Sequence, residues 1–308
     1  MSSNTYSKNT RVTLLDGGLG QEVHKRSGRL AHPLWGAQVM KERPDIVEAV
    51  HRCFMEAGAR VITINSYPLT PTRLKRDGTI EDFEPLQKKA LELGKKAIQG
   101  YASAQIAGCL PPLIGSYTTD HRSKESLLEE YKEIVEIERP GVDLFIAETI
   151  PSLHEAEAAV TAAQGTGKPI LLSFNLSDSD PHKLRSGEHL SEMLTKLRTL
   201  NPDALLFNCS YPESITAAID YIKDYVDIPF GGYGNGFTSV EPLSPGSTVD
   251  ALEKRRDLTP ENYMKHAIHW IEQGATIVGG CCEVGPNYIE TLKKHILAKG
   301  FEIVPFKG

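Results

Sequence analysis

The chain has 308 residues, of which 40% are hydrophobic and 24% charged, a composition that excludes a disordered or collagen-like polymer and fits a packed globular protein. Its 40 acidic and 34 basic residues give a net charge of -6 without any basic tract, so nucleic acid is not an expected partner. No run approaches the roughly 18 apolar residues of a membrane span and the N-terminus is polar, so a cytoplasmic protein is expected.

Short β-branched or apolar runs alternate with longer amphipathic segments along the chain, as parallel strands buried under helices do. The strand candidates are Val12 to Gly17, Val61 to Ser66, Gln105 to Leu110, Leu144 to Thr149, Ile170 to Asn175, Ala204 to Cys209, Ile228 to Tyr233 and Ala275 to Gly280. A helical pattern follows each. In one, Leu127, Leu128, Tyr131, Ile134 and Val135 form an apolar stripe, with Glu129, Glu130, Lys132 and Glu133 facing away. In the last, Ile289, Leu292 and Ile296 do the same. Gly58, Gly141 and Gly274 stand between a helix and the next strand, where a left-handed cap favours a residue without Cβ.

Eight consecutive βα units predict an α/β fold of the TIM-barrel type, a single-domain (β/α)8 barrel over residues 12 to 308 behind a polar tail at 1 to 11. A doubly wound open sheet is the rival arrangement. The longest irregular stretches, Pro68 to Glu81, Pro111 to Lys124, Leu176 to His189 and Gly236 to Leu258, all follow strands, which places an active face at the C-terminal mouth.

Polar residues close the strand candidates at Asp16, Asn65, Glu148, Asn175, Cys209, Asn235 and the pair Cys281 and Cys282. Singly, Asp and Asn often end strands through turn or cap hydrogen bonds. In a barrel all of these ends converge. Five cysteines, an odd number, argue for thiols or metal ligands rather than a disulfide framework. Cys209 and the vicinal pair end two different strands, so three thiolates can meet. Zinc accepts thiolate sulfur in a tetrahedral site whose fourth position a catalytic centre leaves open. Buried cysteines also act simply as small apolar residues. Cys53, on a helix, and Cys109, at the end of the third strand, are assigned to packing.

With these residues in view the chain resembles the homocysteine S-methyltransferase family. The resemblance spans almost the whole sequence. It rests on Leu-Leu-Asp-Gly-Gly-Leu-Gly at 14 to 20, Pro-Leu-Trp at 33 to 35, Ala-Gly-Ala at 57 to 59, Asn-Ser-Tyr at 65 to 67, Glu-Thr at 148 to 149, Asn-Cys-Ser at 208 to 210 and Gly-Gly-Cys-Cys at 279 to 282.

It implies that Cys209, Cys281 and Cys282 hold Zn2+ and that the substrate thiol takes the open position as a thiolate. Asp16 and Glu148 would receive the amino group of homocysteine through charge-assisted hydrogen bonds. Gly17 and Gly18 would let backbone amides approach its carboxylate, and Asn235 belongs to the same expected substrate site. The donor would be S-methylmethionine, S-adenosylmethionine or betaine, whose cationic methyl-bearing centre favours an aromatic face, here Trp35 and Tyr67. Packing at the barrel rim is the alternative use of those two rings.

The chain departs from the family pattern in Gln21-Glu22-Val23, in Glu283 after the cysteine pair, and in Pro68 to Pro71. Each leaves the donor open. Transfer to another thiol acceptor and a thiol-based zinc or redox sensor are the competing readings. Only about ten residues follow the last helix candidate, so a monomer or homodimer is expected.

Overall fold

A computed structural model describes residues 10–308. Among the described residues nine strands form one all-parallel sheet: β1 (Arg11–Leu14), β2 (Val61–Thr63), β3 (Gln105–Leu110), β4 (Leu144–Ile150), β5 (Ile170–Phe174), β6 (Ala204–Asn208), β7 (Phe230–Tyr233), β8 (Ile277–Val278) and β9 (Glu302–Ile303). Strands β2 to β8 lie in sequence order and β1 joins β8. A parallel bridge between Leu15 and Val61, with Arg60 N–H donating to the Leu14 carbonyl at 2.7 Å, closes β1 onto β2. This is the expected (β/α)8 barrel, and the open-sheet rival falls away.

Side-chain alternation sorts the core into two layers. On β6, Ala204 and Leu206 face the lumen while Leu205 and Phe207 pack outward under the helices. On β4, Leu144 and Ile146 face in while Phe145 and Ala147 face out. The ninth strand was not anticipated. It pairs Glu302 with Arg11 and Ile303 with Val12 at the barrel floor. Just beyond it Phe306 joins the lumen cluster and exchanges hydrogen bonds with the Gln105 side chain at 2.7 and 3.1 Å.

Four expectations need correction. Arg11, placed in the predicted tail, belongs to β1, and residues 1–9 of that tail lie outside those described. Glu130 does not face solvent: it is buried, accepting from Thr72 N–H and from Arg122, each at 2.8 Å. Gly58 and Gly274 have the expected positive φ of 121° and 103°, but Gly141 does not. A Cβ on Gly141 would come within 2.8 Å of Leu91, so close packing is its reason for being glycine. Finally, Pro68 to Glu81 is not irregular throughout, since Thr70 caps a short helix at Pro71–Asp77. Among the described residues no helix is long and apolar enough to cross a membrane.

Candidate active site

A pocket opens at the C-terminal mouth of the barrel, and Asp16, Trp35, Tyr67, Glu148 and all three predicted cysteines line it. Strand alternation delivers one of them directly. Glu148 lies two residues beyond lumen-facing Ile146, whereas Cys281 and Cys282 lie past the end of β8 in the turn after Gly279 and Gly280.

Cys209 obeys no such parity. It follows Asn208 with φ of 50°, a left-handed conformation that costs a non-glycine residue roughly 1 kcal/mol or more. Two buried amides hold it there, since its carbonyl accepts from Asn175 Nδ2 and from Asn235 Nδ2, both at 2.8 Å. Trp35, Tyr117 and Thr149 also line the pocket with positive φ, and Glu283 adopts it directly after Cys282. Backbone strain is therefore concentrated at this site, as at many functional sites.

The three sulfurs lie within 4.8 Å of one another. Cys209 Sγ is 2.9 Å from Cys281 Sγ and 3.7 Å from Cys282 Sγ. Around a tetrahedral zinc, with Zn–S near 2.3 Å, sulfurs would stand about 3.7 Å apart. The donor set fits a thiophilic metal: the Cys209–Cys282 pair already has this spacing, and the Cys209–Cys281 pair would open by roughly 0.8 Å to admit the ion. Contact with Cys209, together with burial, holds the Cys281 and Cys282 thiols well above the ordinary thiol range. At Cys209 burial pushes the same way, but donors from Cys281, Cys282 and Tyr117 outweigh it and bring that thiol well below its usual range. The cluster thus favours ionisation at Cys209 and opposes it at its two neighbours. Full ionisation of all three calls for a cation.

The carboxyls are each tied by one oxygen. Asp16 Oδ2 accepts from Thr63 N–H at 3.0 Å, and Glu148 Oε1 accepts from the Cys109 thiol at 2.9 Å. The backbone of Asp16 itself gives its carboxyl a further hydrogen bond, and among the described residues neither carboxyl forms an ion pair with a basic side chain. Burial pushes Glu148 up to about 7 and raises Asp16 well above the usual carboxyl range. Two buried acids of this kind regain their charge when a cation is brought against them.

The aromatic pair is present, with Trp35 and Tyr67 centroids 6.1 Å apart at 31°. Arg73 already stands 4.9 Å from the centre of the Tyr67 ring, which leaves Trp35 as the ring without a resident cation.

Gly17 and Gly18 line the pocket, but one predicted residue takes another place and one amide is already engaged. Asn235 is absent from the pocket wall: it is buried behind Cys209 and shapes that residue's backbone. Gly18 donates its N–H to the Val284 carbonyl at 2.9 Å, so that amide is not available to a ligand. A Cβ at Gly17 or Gly18 would come within 2.1 Å of the Val284 carbonyl or 2.7 Å of the Cys281 carbonyl. These glycines let the first turn press against the loop that carries the cysteine pair.

Sequence reading missed several contributors. Tyr117 places its hydroxyl 2.9 Å from Cys209 Sγ, from within the loop after β3. Its only signal was membership of a long loop on the active face. Gln21 and Glu283, two of the departures from the family pattern, turn out to be partners: Gln21 Nε2 donates to Glu283 Oε1 at 2.8 Å and Gln21 Oε1 accepts the Glu283 N–H. Lys254 pairs with the other Glu283 oxygen at 2.7 Å, tying the 236–258 segment to both. From that segment Phe237, Val240 and Leu243 pack with Cys209, Cys282 and Tyr117.

Fold and site together define an enzyme of the parallel-barrel class whose mouth offers a soft-metal thiol cluster beside two uncompensated acids. The sequence model of homocysteine S-methyltransferases matches residues 13–296, and the chain belongs to that family. It is 29% identical over 304 residues to the homocysteine S-methyltransferase of Escherichia coli (strain K12), covering 92% of this chain and 94% of that one. It is 26% identical over 326 residues to the selenocysteine methyltransferase of Astragalus bisulcatus, covering 94% of each. The crystal structure of the metallated homocysteine methyltransferase MmuM from Escherichia coli superposes with a TM-score of 0.77 at 27% identity, over 92% of this chain and 96% of that one.

Proposed function

We propose that the protein transfers a methyl group from a small sulfonium or quaternary ammonium donor to the sulfur of homocysteine, giving methionine, with Zn2+ held by Cys209, Cys281 and Cys282. The observation that carries this is the placement of three thiols within 4.8 Å of one another in the pocket that also holds Asp16 and Glu148. A bound zinc ion would supply Lewis acidity, favouring the deprotonated, nucleophilic form of a substrate thiol at neutral pH.

The chain's own residues do the rest. Asp16 and Glu148 receive the acceptor's ammonium on their untied oxygens, and its positive charge draws both acids into their ionised form. Held at its amino end, the acceptor presents its sulfur toward the cysteine cluster. Trp35 supplies the aromatic face against the cationic donor. Phe237, Val240 and Leu243 cover the thiols and keep water from them. The substrate sulfur attacks the donor methyl as the donor's S–C or N–C bond breaks. The leaving sulfur or nitrogen keeps that bond's electron pair and becomes neutral, so no proton moves in the transfer itself. Positioning is then the main demand, with reacting atoms about 3 to 3.5 Å apart.

A second acceptor is favoured by one finding, the similarity to a selenocysteine methyltransferase. A selenol would meet the same metal and the same two acids. The test is an assay of the anaerobically purified, zinc-loaded enzyme with homocysteine and selenocysteine against a panel of sulfonium and betaine donors. Methionine from homocysteine with at least one donor is expected. Turnover of selenocysteine alone would move the assignment to that acceptor, and no product from either would refute it.

A further inference from the structure

The anchors of the two pocket acids differ in kind. Asp16 is held by the backbone N–H of Thr63. Glu148 is held by a side chain, the Cys109 thiol. Cys109 faces the lumen because lumen-facing Ala107 stands two residues before it, and it pairs in register with Ile146, two residues before Glu148. It is fully buried, and its own backbone N–H donates to Glu138 Oε2 at 2.9 Å. Glu138 in turn accepts from Ser66 Oγ at 2.8 Å. A Cβ on Gly108 would come within 2.6 Å of Glu138 and 2.7 Å of Phe145, so β3 is pressed against its neighbours here. Cys109 therefore offers its thiol from a fixed place.

The chemistry of the anchor is specific. A lysine or arginine in this place would hold Glu148 more strongly, but it would neutralise the acid that an ammonium must find. A neutral S–H turns the carboxyl without cancelling its charge. The Thr63 amide does the same for Asp16.

We propose that Cys109, rather than merely filling space, is a positioning residue for acceptor recognition: its thiol orients Glu148 so that the second carboxyl oxygen meets the amino group of the acceptor. This rests on the reading that Glu148 receives that amino group.

The test is calorimetric titration of homocysteine, and of 4-mercaptobutyrate, which lacks only the amino group, into the zinc-loaded full chain. In Cys109→Ala, homocysteine affinity should fall about tenfold, the size expected when one hydrogen bond to a charged group is lost. Binding of 4-mercaptobutyrate should stay within about twofold, since only the ammonium uses Glu148. Cys109→Ser restores a donor and should return homocysteine affinity to within about threefold of the parent. Unchanged homocysteine affinity in Cys109→Ala, equal losses for both ligands, or a serine variant as weak as alanine would each overturn the proposal. Failure of the parent itself to bind homocysteine would instead refute the underlying reading of the site, and this inference with it.

Discussion

The two chemical parts of the pocket are built by different means. The acids sit close to regular strands: Glu148 continues the inward alternation of β4 just before its irregularity at Thr149, and Asp16, two residues past β1, is fixed by an amide at the end of β2. The thiols depend on irregular structure. Cys209 needs a left-handed backbone clamped by Asn175 and Asn235, and the vicinal pair needs glycines on both sides of the contact between the first turn and the segment after β8. Removing a pocket acid should therefore cost recognition alone, whereas disturbing the thiol part should cost the metal, and with it the chemistry.

The largest effect is expected at the ligands. Cys281→Ala should lose metal and reduce methyl transfer at least a thousandfold, because several kcal/mol of Lewis-acid stabilisation goes with it. Metal analysis and single-turnover rates on the same sample check this. Asp16→Asn should instead keep its zinc and lower kcat/KM for homocysteine by about ten- to a hundredfold, mostly in KM, as one charge-assisted hydrogen bond is removed. Equal losses of metal in both variants would erase the distinction drawn above.

A subtler test reaches behind the ligand. Asn235→Ala removes half of the clamp on the Cys209 carbonyl without touching the pocket wall. It should weaken zinc binding about tenfold in a chelator competition, the scale seen when the support of a metal ligand is lost. Unaltered affinity would show that Asn175 alone suffices.

A last effect bears on stability rather than on the chemistry and concerns the buried carboxyl behind the acids. Burial pushes Glu138 up to about 8 from an ordinary 4.5. Between those values the folded protein keeps a proton that the unfolded chain gives up, so this group's contribution to stability is full below about 4.5 and is lost as pH rises toward about 8. Glu138→Gln should flatten that decline. Urea midpoints at pH 6 and pH 9 should fall closer together in the variant than in the parent, and an identical pH response would contradict the assignment.

The contrast also explains what was legible in the sequence. Alternating apolar runs gave the eight barrel strands, though not the two-residue β9, and the end of the barrel where chemistry sits, because period and burial are written residue by residue. Glu148 was findable for the same reason. Asn235 was placed at the substrate because a polar residue at a strand end reads identically whether it faces a ligand or a carbonyl; only the left-handed turn at Cys209 decides, and Asn-Cys-Ser carries no glycine to announce it. Tyr117 escaped because its loop has no period. Glu130 escaped because its helix stripe gave no hint of Arg122 arriving from the preceding loop. The Gln21 and Glu283 partnership spans 262 residues, and no local pattern connects its members.

The most direct test of the account is zinc content per chain in protein purified anaerobically under reductant, measured together with methionine formation. One zinc per chain, with activity that disappears on chelation and returns with added zinc, is the predicted result. Full methyl transfer to homocysteine by protein stripped of metal would contradict the role assigned to Cys209, Cys281 and Cys282.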